Sequence, residues 1–463
     1  MASINGILNT ARTGLIAQQR AIDVTAVNIA NANTDGYTRQ RVSFQTGASV
    51  YSSGITFGTG VQINRNVERV YDEFLDARIT AARADAGYWD SQLETLKKTE
   101  MIFGETTGYG LNSAMTDFWN AWQELSNNPS GYVERAMLLG ESQRLAETFN
   151  NLSSGLKQIQ KDSDTNIVHT VADINAITAE IADLNEKIVG IEVSGQSANT
   201  FRDQRDRRLQ ELSGLIGISS FEAANGSITV SLPNGGYSLV EGFNSWALQT
   251  ERNPTTEYHD VQWVSRNGTA TTVTDLISNG QLKGWIDARD TTIQGYADDL
   301  DAMAVAIRDA VNNRHRTGTD LDSGSGNVFF SGTDASTLAV AIDDVRKIAA
   351  AGPGEAVPGG SQNAINIANL QNARLSIGTN TVTANDFYNA LVNRVANDVL
   401  GAENSRSYQS GIALQLSSYR EEISGVSMDD EMIDLVQFQN AYNASAKMVT
   451  VVDEMLQTLI NMV

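Results

Sequence analysis

The two ends of this chain carry matched heptad stripes, and that pattern restricts its fold more than any other feature. Leu8, Leu15, Ile22 and Ile29 recur every seventh residue near the N-terminus. Ile4 and Ala11 occupy the row offset by three, which Gln18 and Thr25 interrupt. Near the other end Leu435, Tyr442, Val449, Leu456 and Val463 recur at the same interval. Phe438, Val452 and Leu459 fill the companion row there, with Ser445 as its weak point. A seven-residue apolar repeat is the seam of a left-handed helix pair. One stripe at each end implies that the termini pair with each other or with copies of the same chain.

The N-terminal helix cannot stand alone. The only charges before Asp35 are Arg12, Arg20 and Asp23, and Gly6 and Gly14 fall inside it. Each glycine weakens a helix by about 1 kcal/mol relative to Ala. An isolated amphipathic helix of this length is marginal in water, so its stability must come from packing. Docking on the chain's own core is the plain explanation. An assembly interface is the sharper one, and it is preferred because the two stripes lie so far apart in sequence.

Composition excludes several classes of function. The chain has 463 residues, of which 33 are Lys or Arg and 55 are Asp or Glu, for a net charge of −22. Nucleic acid and anionic membranes are poor partners for such a surface. There are no cysteines, so disulfides, thiolate metal sites and cysteine nucleophiles are out. The absence also suits a chain that crosses a narrow channel unfolded. No apolar run approaches the length of a membrane span, and the N-terminus lacks the compact apolar stretch of a signal peptide.

Between the stripes the pattern is mainly helical. Val70 to about Phe103 reads as a helix with Tyr71, Phe74, Leu75, Ile79, Trp89, Leu93 and Leu96 as core positions. Residues 104–110 read as a loop. Leu111 to Leu125 is amphipathic around Phe118, Trp119 and Trp122. A long periodic run from Tyr132 to about Ile191 would span roughly 90 Å if continuous, which implies a rod-like bundle. Phe201 to Ile216 alternates charges of opposite sign and reads as a salt-bridged solvent face. The period then drops to two, with strands expected at 227–232, 237–240, 245–249 and 260–264 around the turn Pro233–Gly236. Helix returns from Gly284 to His315, and 317–327 and 351–363 are Gly-rich loops.

The expected fold is therefore mainly α with a small β part. Residues 1–34 with 428–463 form a terminal coiled-coil assembly domain. Residues 35–217 with 270–427 form an elongated helical core, and 218–269 a small β-rich outer subdomain.

No constellation for catalysis emerges. His169, His259 and His315 are far apart, no Ser/His/Asp arrangement is evident, and no His pair has metal spacing. His315 sits at a probable helix end, where a charge is ordinary. Asp320-Leu-Asp322-Ser-Gly-Ser-Gly326 resembles a calcium loop only superficially. Its twelfth position is Ser331, where an EF-hand requires Glu, so a surface turn is expected. Asp429, Asp430 and Glu431 occupy the first turn of the last helix, where the helix dipole favours negative charge. Gly58-Thr-Gly60 lacks the rest of a dinucleotide fingerprint. The expectation is no catalytic residue, no cofactor and no metal.

Two short motifs beside the stripes carry a resemblance. Asn28-Ile-Ala-Asn31-Ala-Asn33-Thr34-Asp35-Gly36-Tyr37-Thr38-Arg39-Gln40 is physically a stop signal, because Asn tolerates the left-handed conformation and Asp-Gly turns the chain. Phe438-Gln439-Asn440-Ala441-Tyr442-Asn443-Ala444-Ser445-Ala446 lies in the last helix, which Ser427 and Asp430 would cap. Together they resemble the flagellar rod, hook and hook-associated protein family. Members commonly have Pro where this chain has Asp35, and both residues suit a turn. The form of the second motif, with Arg39-Gln40, points to the hook-associated branch. Longer members carry an extra domain after a segment like Gly326–Phe330, and this chain runs on almost directly to Ala339–Ala351, so that domain is expected to be absent or vestigial.

The resemblance implies a non-enzymatic structural component of the bacterial flagellum at the junction of hook and filament, at the cell surface. It implies secretion through the flagellar type III export apparatus, with no cleaved signal. The implied partners are copies of the chain itself in a helical oligomer, hook protein, the second hook–filament junction protein and a cytoplasmic export chaperone. The implied assembly interface is Leu8, Leu15, Ile22 and Ile29 with Leu435, Phe438, Tyr442, Val449, Val452, Leu456 and Leu459. Hook or rod protein remains a second reading, disfavoured by the long helical run. An extracellular enzyme or adhesin on a coiled-coil stalk is a third, and would need convergent catalytic groups within 218–360.

Overall fold

The computed structural model describes residues 2–47, 50–52, 55–57, 60–63, 67–104 and 110–462. The interior of the expected 104–110 loop, most of Gly58–Gly60 and the heptad position Val463 lie outside the described residues. Helix accounts for 64% of the described residues, as the periodicity demands.

Helix α1 (Ala2–Ala30) ends at the Asn-rich stop signal. An arm of six short strands follows: β1 (Gln40–Arg41), β2 (Phe44–Thr46), β3 (Val50–Ser52), β4 (Ile55–Phe57), β5 (Val61–Ile63) and β6 (Glu68–Arg69). They pair as nested antiparallel couples, β1 with β6, β2 with β5 and β3 with β4. Asp72 then caps α2 (Glu73–Phe103) by accepting from the amides of Phe74 and Leu75 at 3.0 and 3.1 Å. Because the cap fixes this start, Tyr71 and Phe74 fall outside the core expected of them, and Phe74 is 84% exposed. Leu75, Ile79, Leu93 and Leu96 are buried as expected.

Helix α3 (Leu111–Asn127) drives Phe118, Trp119 and Trp122 into the first hydrophobic core, among Tyr296, Leu300, Phe329 and Phe330. Helix α4 (Tyr132–Val193) is continuous over 62 residues, about 93 Å at 1.5 Å per residue. Its first half completes that core. Its second half, with Ile167, Ile174 and Ile181, floors a second core. This second core is closed by α5 (Asn199–Leu215), by the β excursion and by α6 (Gly280–Asp287).

The excursion holds more strands than the period-two reading gave. A four-stranded sheet runs β10 (Asn244–Ser245), β9 (Ser238–Glu241), β8 (Ile228–Ser231), β7 (Ser219–Glu222). A three-stranded sheet runs β11 (Leu248–Arg252), β12 (His259–Val264), β13 (Ala270–Thr272). Strands β7 and β13 escaped notice because every residue in them is exposed, so neither alternates.

A π-helical turn, Ala288–Thr292, joins α6 to α7 (Ile293–His315). Buried Arg289 in that turn reaches Asp164 of α4 at 2.6 Å and the carbonyl of His259 in β12 at 2.9 Å, tying the two cores together. Short pairs β14 (Phe330–Ser331) with β15 (Ala339–Val340), and β16 (Leu375–Ile377) with β17 (Asn380–Val382), flank α8 (Gln362–Ala368). Helix α9 (Ala384–Ser424) returns along α2. No helix was expected here; Thr383 caps it by accepting from the Asp386 amide, and Phe387, Leu391, Val395 and Val399 follow at helical spacing. Helices α2, α5 and α6 approach closely through glycine: a Cβ on Gly87 would stand 2.1 Å from the Gly214 carbonyl oxygen, and one on Gly284 2.5 Å from that of Tyr88. Helix α10 (Met428–Asn461) then runs back along α1.

His315 is not the helix-end cation that its position suggested. It is fully buried, its Nδ1 donates to the Asn327 carbonyl at 2.9 Å, and its Nε2 accepts from the Ala349 amide at 2.9 Å. An accepting Nε2 requires the neutral ring, and burial holds its pKa below the usual histidine range. Asp320 is buried too, accepting from the amides of Asp322 and Gly324 at 2.9 and 2.7 Å. The acid organises the turn from inside, so the superficial calcium-loop pattern has a structural cause.

Candidate assembly interface

Helices α1 and α10 pack against each other in antiparallel fashion, and two contacts set their register. A Cβ on Gly14 would lie 3.0 Å from the Ser445 hydroxyl oxygen, and Asn28 bonds Glu431. Between these points the row Ala11, Gly14, Gln18, Ala21, Thr25 and Asn28 alternates by three and four residues, the heptad spacing. Ala11, Ala21, Thr25 and Asn28 are buried. On α10 the buried residues are Glu431, Ser445 and Val452, with Phe438 half-buried in the same row. The seam is therefore small and partly polar. Small residues let the axes approach, which leaves no room for leucine at the centre.

The large apolar side chains lie one position beside it. Leu15, Ile22, Ile29, Leu435, Phe438 and Val449 are half-buried, Val452 is buried, and Leu8, Tyr442, Leu456 and Leu459 are exposed. Ile7, Ile16, Val27, Val451, Met455 and Ile460 are exposed beside them. The two rows that seemed interrupted in the sequence, through Gln18 and Thr25 and through Ser445, are the rows that face inward.

Below the seam the first motif forms a buried latch. Asn28 uses its whole amide: it donates to the Gln40 carbonyl at 2.8 Å and Glu431 Oε2 at 3.0 Å. It accepts from the Tyr37 hydroxyl at 2.9 Å and the Gln40 amide at 3.0 Å. Arg39 Nε donates to Glu431 Oε1 at 2.9 Å. Burial, with Asp203 and Glu431 nearby, holds the Tyr37 phenol protonated far above its usual range. Gly36 sits at φ +73°, in the left-handed region the turn requires. Asn31 donates back to the Val27 carbonyl at the helix end, while Asn33 is exposed. In the second motif Gln439 is exposed, and Ala441 and Ala446 are half-buried. Glu431 is only 2% exposed, so its dipole-favoured position was half of its role; the other half is pairing with the first motif.

Helix α5 holds the latch to the body, and the solvent-face reading holds for one side only, where half-exposed Arg208 pairs with Glu180 and Glu211. Asp203, Arg205 and Asp206 are buried. The Thr38 amide donates to Asp203 at 3.2 Å, and Arg69 reaches Asp203 and Asp206 at 2.8 and 2.7 Å. Burial pushes the Asp203 carboxyl up, against the pull of Arg69. From α9, Arg420 donates to the Thr38 hydroxyl at 3.2 Å and stands 3.5 Å from Asp76. The Arg39 amide donates to the Ser424 carbonyl at 2.7 Å. Arm, α5, α9 and α10 thus converge on 12 residues of motif, from Asn28 to Arg39. Among the described residues no cluster of three or more metal-binding side chains occurs, and no helix is long and apolar enough to cross a membrane.

This construction has known relatives. The family model described as "Flagellar hook-associated protein FlgK helical domain" matches residues 96–330, which is half of the chain. A flagellar hook-associated protein 1 from Bacillus subtilis is 32% identical over 98% of this chain and 97% of its own. The chain belongs to the flagellar hook-associated protein 1 family. Its ends match more general models, "Flagella basal body rod protein" at 8–38 and "Flagellar basal body rod FlgEFG protein C-terminal" at 418–462. The Escherichia coli hook-associated protein 1 is 25% identical over 99% of this chain and 100% of its own, in an alignment of 552 positions. Since this chain has 463 residues, that relative carries segments with no counterpart here. The solved structure of the flagellar hook junction protein FlgK from Burkholderia pseudomallei superposes with a TM-score of 0.68, at 15% identity, over 75% of this chain and all of its own. The fold is shared. Members of the family are structural components of the flagellar hook–filament junction.

Proposed function

We propose that this chain builds the first junction tier on the distal end of the flagellar hook, and that the α1–α10 pair forms the inner wall of that tier. One observation carries the reading. The seam inside the pair is small and partly polar, while the large apolar residues Leu8, Tyr442, Leu456 and Leu459 on its flank stay 36–47% exposed. Exposed apolar surface of this extent marks a protein-binding face. Copies related head to tail would cover it, and such heterologous contacts generate open helical assemblies. Hook protein below and the second junction protein above are the remaining partners. A cytoplasmic chaperone would shield the α10 flank before export through the type III apparatus. The role is structural rather than catalytic. The assembly and outer subdomain boundaries proposed are 1–34 with 428–463, and 218–269, the last extended through Thr272 to take in β13, on the helical core.

Leu456→Asp tests this reading. The exposed carboxylate leaves the folded chain unchanged, so the variant is expected to be secreted and to keep its helical spectrum. It is expected to be absent from purified hooks, which then lack filaments in electron micrographs while flagellin accumulates in the medium. Normal incorporation of the variant would refute the role given to the flank.

A further inference from the structure

We propose that a methionine stripe on α10 is an oxidation site: a peroxide converts Met448, Met455 and Met462 to sulfoxides, and a copy so modified cannot join the tier. The inference rests on the proposed tier and assigns a chemical control to the same flank.

Sulfur is unevenly placed in this chain. There are no cysteines and 10 methionines. Met428, Met432, Met448, Met455 and Met462, half of that total, lie in α10 and its cap. These five are 42–78% exposed. Met115 and Met303 are fully buried in the first core, while Met101 and Met137 are exposed on the body. An oxidant in solution therefore meets most of its accessible thioethers on the assembly helix. It does not reach the two that pack the core.

Spacing gathers three of them on one face. Met448, Met455 and Met462 recur every seventh residue. Met448 and Met455 follow the inward-facing Ser445 and Val452 by three residues, which sets the stripe one row to the side of the seam. Val451 and Leu459 are exposed beside it. The stripe thus belongs to the apolar flank, and oxidation there spares the contact of Gly14 with Ser445. Leucine supplies similar apolar bulk without the reactivity, and α10 uses it in neighbouring rows at Leu435, Leu456 and Leu459.

The chemistry needs only the peroxide. The thioether sulfur attacks one peroxide oxygen, the O–O bond breaks and an S–O bond forms. The leaving hydroxide takes the proton of the transferred hydroxyl and departs as water. Sulfur is oxidised by an electron pair and the peroxide is reduced by the same pair. The product replaces a flexible apolar side chain with a polar one, which disrupts methionine-rich interfaces. On a flank that a neighbour must desolvate, each new S=O acceptor is left without a donor. Reaction before assembly excludes the copy, and a neighbour in place shields the stripe.

The missing cysteines make the test clean, since a peroxide finds no thiol to attack. The purified full chain is treated with hydrogen peroxide, mapped by peptide mass spectrometry and added to hooks sheared from cells that lack it. Sulfoxide is expected at Met448, Met455 and Met462, with Met115 and Met303 reacting roughly tenfold more slowly. Joining of the treated chain to hooks is expected to fall about tenfold, and methionine sulfoxide reductases to restore it. A chain carrying Met448→Leu, Met455→Leu and Met462→Leu is compared with its own untreated sample, and is expected to lose less than about twofold. In assembled junctions Met448 and Met455 are expected to react about tenfold more slowly than in the free chain. A triple variant as sensitive as wild type would place the damage at another methionine and overturn the proposal. Equal reaction in free and assembled chains would do the same, because the stripe would then be uncovered. Oxidised chain that joins hooks normally overturns the oxidation site and leaves the tier standing. Untreated wild-type chain that joins no hooks overturns both.

Discussion

The latch should hold the terminal helices on the body, and Glu431→Ala measures by how much. Glu431 accepts two hydrogen bonds, from Arg39 at 2.9 Å and from Asn28 at 3.0 Å. Charge-assisted bonds contribute about 1.5–3 kcal/mol each when buried. The Arg39 side chain is 31% exposed, so water replaces much of its loss. Asn28 keeps its bonds to Gln40 and Tyr37. The net cost is then about 2 kcal/mol, well below the gross sum of the two bonds. The cost falls on detachment of α10 from the arm and not on the body, whose cores the latch does not enter. At about 1.4 kcal/mol per decade, detachment becomes roughly thirtyfold more frequent. Native-state hydrogen exchange reads this directly: amides of α1 and α10 should exchange roughly thirtyfold faster, while those of α3 and α4 stay at wild-type rates. Exchange in α1 and α10 within threefold of wild type would refute the latch. A parallel rise in α3 and α4 would show instead that the network supports the whole fold. Asn28→Ala combined with Glu431→Ala should cost less than the two changes summed, because they share one bond.

Three further outcomes follow from buried groups. Arg135 is 1% exposed and donates to the carbonyls of Pro129, Val345 and Ile348, with burial holding its pKa down to about 10; Arg135→Met should cost about 3 kcal/mol in denaturant unfolding, and a loss under 1 kcal/mol would contradict the clamp. The His315 pKa is lowered in the fold, so the unfolded chain binds the proton first: its stability contribution is complete above about pH 6.5 and shrinks as pH falls through the lower folded value. Unfolding of His315→Gln should lack this component of acid sensitivity, and an unchanged pH profile would mean the ring is not held neutral. Gly14→Leu would push the α1 and α10 axes apart against Ser445, at about 1–3 kcal/mol; exchange of α10 amides should rise without change in the body, and an unaltered rate would mean the seam is not close-packed there.

Much of the fold was legible because its signals are local. The 62-residue α4 announced itself by unbroken helical spacing, and α3 by its aromatic stripe. The charges of α5 were not legible in this way. The sequence Arg-Asp-Gln-Arg-Asp-Arg-Arg reads as a solvated face until Arg69 and Thr38 arrive from 134 and 165 residues away. Likewise β7 and β13 lack alternation because neither buries a face, and an exposed edge strand looks like a loop.

The terminal helices divide the same question most sharply. By itself the sequence determined that both ends are heptad helices, that the first has too few charges to be solvated alone, and that a stop signal follows it. Periodicity needs no partner to be read. Which of two neighbouring rows faces inward was decided by the tertiary structure. Hydropathy favoured Leu8, Leu15, Ile22 and Ile29, yet the helices close on Ala11, Gly14, Ala21 and Asn28. The physical reason is distance. Gly14 against Ser445 and Asn28 on Glu431 bring the axes too near for leucine between them, and the apolar side chains are left on the flank.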